Sequence, residues 1–125
     1  MSIDITLTGK QGNTINYDAN SMLSEVTHYG YISITYNLAS MLQVLPCKWP
    51  RKNWENKELY TLIPQIQESI TELYRNQTKY IRYNSTNGFG TTNTAFHFLS
   101  AMLILCTCYP HAICHVEWCK KGIFY

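Results

Sequence analysis

Alternating hydrophobic and polar residues mark out the strands of this chain. Apolar and polar residues alternate over positions 3–8, and residues 14–17 follow a Gly-rich turn as the partner strand of a hairpin. Residues 29–36 are rich in Tyr, Ile and Thr, which favours a middle strand. Residues 112–118 alternate again and predict a closing strand. We therefore predict a small antiparallel sheet.

Three segments have the spacing of apolar residues that is typical of helices. A short helix is predicted from an N-cap at Asn37 to Pro46. The clearest stripe covers residues 58–75, where Pro64 predicts either a kink or the true start of the helix. Residues 92–108 form an apolar helix that is too short to cross a membrane. Together the patterns predict a single α+β domain over residues 1–125, with the sheet packed against about three helices.

The chain is poor in charge. Charged residues make up 14% of it, and ten Lys and Arg against eight Asp and Glu give a net charge of +2. This charge is too small and too dispersed to grip long nucleic acid through its phosphates. Ten Tyr with many Asn and Thr offer stacking and hydrogen bonding instead. The low charge also favours association into a homo-oligomer.

The cysteines indicate a reducing, intracellular setting, because they number five and the N-terminus lacks the pattern of a signal peptide. Six residues of metal-binding type cluster near the C-terminus: Cys106, Cys108, His111, Cys114, His115 and Cys119. Their spacing does not favour zinc. Cys106 and Cys108 lie on opposite sides of a predicted helix, and Cys114 and His115 on opposite faces of a predicted strand. We predict no metal and no cofactor, and interpret the cysteines as core residues.

The loop at residues 84–93 is the strongest candidate for a ligand site. It carries no charge, and nine of its ten residues are Asn, Ser, Thr or Gly, with Phe89 between two glycines. Glycine allows a ligand to approach the backbone closely. The loop enters a helix whose free N–H groups would favour an anion. An ordinary capped turn is the other interpretation, since the loop matches neither a Walker loop nor a dinucleotide fingerprint.

A second polar turn, residues 34–37, also ends a strand and enters a helix. If both turns lie at one edge of the sheet, Tyr36 or Phe89 would stack on a base, and nearby amides and hydroxyls would bind its edge or a phosphate. Arg82 is the nearest cation in sequence, and His97 is either a ligand contact or a half-buried core histidine. The predicted ligand-binding residues are Thr35, Tyr36, Asn37, Arg82, Asn87, Gly88, Phe89, Gly90, Thr91 and His97.

No catalytic arrangement is evident in the sequence. It contains no Gly-x-Ser-x-Gly elbow and no cysteine within a family signature. The acidic residues are scattered, and Glu68 and Glu72 form an i,i+4 pair typical of a solvent face. We therefore predict a binding protein without catalytic residues. A small enzyme that modifies a nucleotide signal through His97 or a cysteine is an alternative.

The order of these motifs resembles a widespread family of small bacteriophage proteins. The shared motifs are residues 34–37 followed by Met41, Ile63-Pro64 opening a helix, residues 87–90, and Cys106 with residues 109–112 before the last strand. That family usually has Trp where this chain has Phe89, and often a further aromatic residue where this chain has Thr92-Asn93. The resemblance covers roughly residues 31–118.

The resemblance implies a phage immune-evasion protein in the cytoplasm of the infected bacterial host. Its expected role is a sponge of the anti-CBASS type, which sequesters a defence nucleotide without cleaving it. The expected ligand is a cyclic dinucleotide or an ADP-ribose-type signal, and neither long nucleic acid nor a membrane is an expected partner. The alternative is a protein–protein inhibitor of a host defence enzyme, anchored by an aromatic set of Tyr29, Tyr31, Trp49 and Trp54.

Overall fold

The computed structural model describes residues 2–15, 27–28, 31–47, 53–84 and 90–119. Within them, five strands form one antiparallel sheet: β1 (Ser2–Thr8), β2 (Thr14–Ile15), β3 (Thr27–His28), β4 (Tyr31–Thr35) and β5 (Ile113–Cys119). The α-helices are α1 (Ala39–Val44), α2 (Ile63–Arg75), α3 (Gln77–Tyr80) and α4 (Thr92–Cys108). Short 3₁₀ helices lie at Tyr36–Leu38, Leu59–Leu62 and Ile81–Tyr83. The predicted α+β fold is confirmed.

β1 is the central strand of the sheet. β5 pairs with β1 along the full length of β1 and occupies one of its edges. The opposite edge of β1 pairs with β4 at residues 2–5 and with β2 at residues 7–8. β3 pairs with β4. β1 and β5, the first and last strands among the described residues, are therefore neighbours, although they are far apart in the sequence.

One face of the sheet packs against the helices. Its residues on the two longest strands are completely buried: Ile3, Ile5, Leu7, Cys114 and Val116. Ile32 and Ile34 of β4 are buried as predicted. In the apolar stripe of α2, Ile66 and Leu73 are buried, whereas Ile63 and Ile70 are half-buried. Because successive side chains of a strand alternate between faces, Thr6, Thr8 and His115 lie on the outer face.

The start of α2 decides between two sequence predictions, and the start of α1 corrects one. Pro64 stands in the first turn of α2, where a proline needs no N–H partner, so it begins this helix and does not kink it. The prediction of Asn37 as an N-cap was wrong. Asn37 lies inside the 3₁₀ helix, and α1 follows Leu38 without a side-chain cap.

Trp54 is a core residue. Its side chain is completely buried, its ring stacks on Phe98 with the centroids 6.0 Å apart, and its Nε1 donates to the carbonyl of Cys47 at 3.1 Å. The prediction that placed Trp54 in an interface set was wrong, because the fold supplies an internal acceptor for the indole N–H. Of the rest of that set, Tyr29, Trp49 and the side chain of Tyr31 lie outside the described residues.

Cys106 and Cys108 lie on opposite sides of α4, as predicted. Cys106 and Cys114 are buried whereas Cys108, on the other side of α4, is exposed, so Cys108 is not the core residue we predicted. Burial raises the pKa of Cys106 to about 12 and also raises the pKa of Cys114, which keeps both thiols protonated at neutral pH. The described residues contain no group of three or more His, Cys, Asp or Glu placed to hold a metal ion. None of the described helices combines the length and apolarity that a membrane span requires.

Candidate ligand site

The two polar turns meet at Gly90. Gly90 is buried, its φ is +85°, and a Cβ at this position would lie 2.9 Å from the Cβ of Asn37 and 3.3 Å from the backbone nitrogen of Leu38. Glycine suits the site because it accepts a positive φ and a close backbone approach. The structure therefore places Gly90 of the predicted loop directly against Asn37, the last residue of the second predicted turn.

The start of α4 is capped by the loop that precedes it. Thr91 Oγ1 accepts a hydrogen bond from the backbone N–H of Thr94 at 3.2 Å, and Asn84 Oδ1 accepts one from Thr92 at 2.9 Å. The expectation of free N–H groups was wrong for these two amides, because side chains of the loop already satisfy them. Thr91 thus has a structural role, as the interpretation of an ordinary capped turn predicts.

Asn84 also fixes the segment that carries Arg82. The 3₁₀ helix at residues 81–83 ends at Asn84, whose hydrogen bond to Thr92 holds it to the start of α4. Arg82 is exposed, with its guanidinium 5.1 Å from the ring centre of Tyr83. Arg82 lies two residues before the anchored Asn84 in the chain, and its guanidinium contacts Tyr83.

A cleft of about 410 Å³ lies beside the start of α4 and the end of α2. Its lining residues are Leu73, Tyr74, Gln77, Thr92, Asn93 and Phe96. Tyr74 is 72% exposed and offers a ring for stacking, while the exposed amides of Gln77 and Asn93 offer hydrogen bonds. Thr92 lines the cleft and follows Gly90 by two residues in the chain, which connects the cleft to the junction of the turns.

Tyr74 and Gln77 were missed by sequence reasoning. Tyr74 lies on the polar side of the amphipathic helix α2, and Gln77 begins the next helix, α3. A tyrosine on a polar helix face was the feature of the sequence that could have indicated this cleft. Their nearness to Asn93 depends on the packing of α2 against α4, which neither helix specifies by itself.

The structure describes some of the other predicted ligand residues completely, some in their backbone alone, and some not at all. Asn37 is exposed, and Thr35 and Tyr36 are described in their backbone alone, at the end of β4 and the start of the 3₁₀ helix. His97 is half-buried and interacts within the chain, which agrees with the interpretation of a core histidine. The predicted residues outside the described ranges are Asn87, Gly88 and Phe89.

Glu72 connects α2 to α3, the helix that leads to Arg82. Its Oε2 accepts a hydrogen bond from Tyr80 at 2.5 Å and lies 3.5 Å from the Lys79 ammonium, and its Oε1 accepts one from Asn76 at 2.9 Å. The bond from Tyr80 is the main reason that the pKa of Glu72 lies below its ordinary value. Glu72 therefore lies on the predicted solvent face of α2 and links this helix to the residues that follow it.

Tyr80 gives a pH-dependent test of this connection. Burial, and then the hydrogen bond to Glu72, raise the pKa of Tyr80 to about 12 from the ordinary 10.0. The neutral hydroxyl therefore stabilises the fold fully below pH 10, and this contribution is lost as the pH rises to about 12. We expect the wild type to lose free energy of unfolding relative to Tyr80→Phe between pH 10 and 12, measured by urea denaturation. Parallel curves would contradict this, and exposed Tyr74→Phe serves as the control that should follow the wild type.

Comparison of the chain with protein-family models, curated proteins and solved structures finds no match. The resemblance to small phage proteins therefore stays a prediction. The candidate site rests on its own geometry, which consists of the contact of Gly90 with Asn37, the capped start of α4 and the adjoining cleft.

Proposed function

We propose that this protein binds a small nucleotide and sequesters it without cleaving it. The observation that carries the proposal is the contact between Gly90 and Asn37, which joins two uncharged polar turns beside a cleft. An exposed ring such as that of Tyr74 stacks on any base, and side-chain amides bind base edges and phosphates. Such a site needs little net charge, in agreement with the composition of the chain.

The resemblance to small phage proteins supplies the biological part of the proposal. It makes the ligand a host defence signal, a cyclic dinucleotide foremost or an ADP-ribose-type molecule, removed in the cytoplasm of the infected bacterium. A cyclic dinucleotide has two similar halves, so a homodimer with two-fold symmetry would present the same residues to each half.

A thermal-shift panel of cyclic dinucleotides, cyclic trinucleotides and ADP-ribose derivatives tests the proposal. A ligand at 100 times its Kd stabilises the folded state by about 2.7 kcal/mol. For a domain of this size we expect the Tm to rise by about 10 °C. The bound ligand is then released and identified by chromatography. Recovery of an altered ligand would contradict sequestration, and no shift across the panel would contradict nucleotide binding.

Substitution of exposed residues then locates the site. Loss of base stacking costs about 1–3 kcal/mol per base, so we expect Tyr74→Ala to weaken nucleotide binding by about tenfold or more in isothermal titration calorimetry. Asn37→Ala should also weaken it. Tyr60→Ala removes another exposed tyrosine, outside the cleft lining, and should leave the affinity unchanged. Equal losses for Tyr60 and Tyr74 would place the ligand elsewhere.

A further inference from the structure

Three polar side chains form a continuous series of hydrogen bonds at the outer face of the sheet. Nε2 of His115 lies 2.8 Å from Oγ1 of Thr8, and Nδ1 of His115 lies 3.0 Å from Oε2 of Glu55. The register of β1 and β5 places Thr8 and His115 on the same face. The side chains of His115 and Glu55 are 26% and 25% exposed, so the group is partly open to solvent.

The backbone fixes the carboxylate of Glu55. Its Oε1 accepts the N–H of Val116 at 2.7 Å, while Oε2 faces His115. The next residues bind the edge of β5, since Asn56 donates to the carbonyl of Cys114 at 2.8 Å and the carbonyl of Lys57 accepts from Cys114 at 2.9 Å. Both oxygens of the carboxylate are thereby held at defined places along β5.

The tautomer of His115 sets the direction of these hydrogen bonds. In the neutral tautomer with its proton on Nδ1, the ring donates to Oε2 of Glu55 and its Nε2 accepts from the hydroxyl of Thr8. A hydroxyl, an imidazole and a carboxylate in this order are the parts with which proteins activate an alcohol as a nucleophile.

No short motif contains this group. Thr8 lies in β1, Glu55 in the segment before the 3₁₀ helix at Leu59–Leu62, and His115 in β5. Sequence reasoning therefore found no arrangement for nucleophilic catalysis. Pairing of β1 with β5 and the binding of residues 56–57 along β5 bring the three side chains together.

We infer that Thr8 is a nucleophile that accepts acyl groups from activated carboxylic esters. Its Oγ forms a bond to the carbonyl carbon, its proton passes to Nε2 of His115, and the ester C–O bond breaks. The leaving alcohol or phenol takes that proton. Water then attacks the carbonyl carbon of acyl-Thr8 and passes a proton to Nε2 of His115. The bond between the acyl carbon and Oγ of Thr8 breaks, and Oγ takes the proton from His115, which releases the carboxylic acid and restores the hydroxyl. This site is separate from the cleft beside α4, so it does not depend on nucleotide binding.

Reaction of the full chain with p-nitrophenyl acetate tests the inference. Peptide mass spectrometry should find an acetyl group on Thr8, and p-nitrophenolate release gives the rate. General-base assistance is worth about 100-fold or more, so His115→Gln should slow acetylation of Thr8 by about that factor. Thr8→Ser, which keeps a hydroxyl, should still be acetylated at position 8.

Thr6→Val is the matched control, because Thr6 lies on the same face opposite His115 and outside the series of hydrogen bonds. Thr6→Val should react like the wild type. Thr8→Val should give no acetylated peptide at position 8, and its thermal unfolding transition should show that it is still folded. Acetylation confined to lysines would overturn the inference and leave Glu55 and His115 as a cap on the edge of β5. Equal acetylation of Thr8 in the wild type and in a folded His115→Gln variant would overturn it as well.

Discussion

Replacing Trp54 by alanine is expected to lower the free energy of unfolding by about 4 kcal/mol. The indole is completely buried, stacks on Phe98 and donates to the carbonyl of Cys47. The substitution therefore leaves a cavity, removes an aromatic contact and takes away the donor of a buried carbonyl. For a chain of this length the loss should lower the Tm by about 15 °C in a calorimetric scan.

Two further variants separate these contributions. Trp54→Phe keeps a ring against Phe98 but removes the indole N–H, and we expect it to cost about 2 kcal/mol, less than alanine does. Tyr74→Ala truncates an aromatic residue that is 72% exposed and should change stability by no more than about 0.5 kcal/mol. A cost below about 1 kcal/mol for Trp54→Ala would contradict the buried position and restore the interface hypothesis.

Replacing Gly90 by alanine is expected to cost about 3 kcal/mol. A side chain at a φ of +85° costs about 1–2 kcal/mol in backbone strain. The added Cβ would also lie 2.9 Å from the Cβ of Asn37, so the two turns must move apart. Overpacking of this kind costs about 1–3 kcal/mol. If the junction binds the ligand, the same substitution should weaken nucleotide binding too.

Gly12→Ala is the matched control for this prediction. Gly12 has a φ of +87°, but no atom lies within 4 Å of a Cβ built there, so this variant carries the backbone strain without the steric contact. We expect it to cost about 1 kcal/mol in urea denaturation, which leaves a difference of about 2 kcal/mol for the contact with Asn37. Equal costs for the two variants would show that the turns do not meet as described.

Local sequence was sufficient to predict an element where one pattern of residues dominated its segment. The helix α4 begins at Thr92 and ends at Cys108 as predicted, because a polar loop precedes its apolar run and Pro110 follows it. The same reasoning failed for Trp54, which stands in a polar segment. Its burial depends on an acceptor at Cys47 and a stacking partner at Phe98, and neither is visible in the residues around it.

By itself the sequence determined the strands β1, β2, β4 and β5 and the helices α1, α2 and α4, because these follow from the spacing of neighbouring side chains. It also marked both polar turns. It did not predict the two-residue strand β3 or the four-residue helix α3. Only the tertiary structure decided that β5 lies beside β1, that His115 reaches Thr8 and that Gly90 closes on Asn37. These contacts join distant parts of the chain, and the periodicity within a strand or helix does not specify which other element will pack beside it.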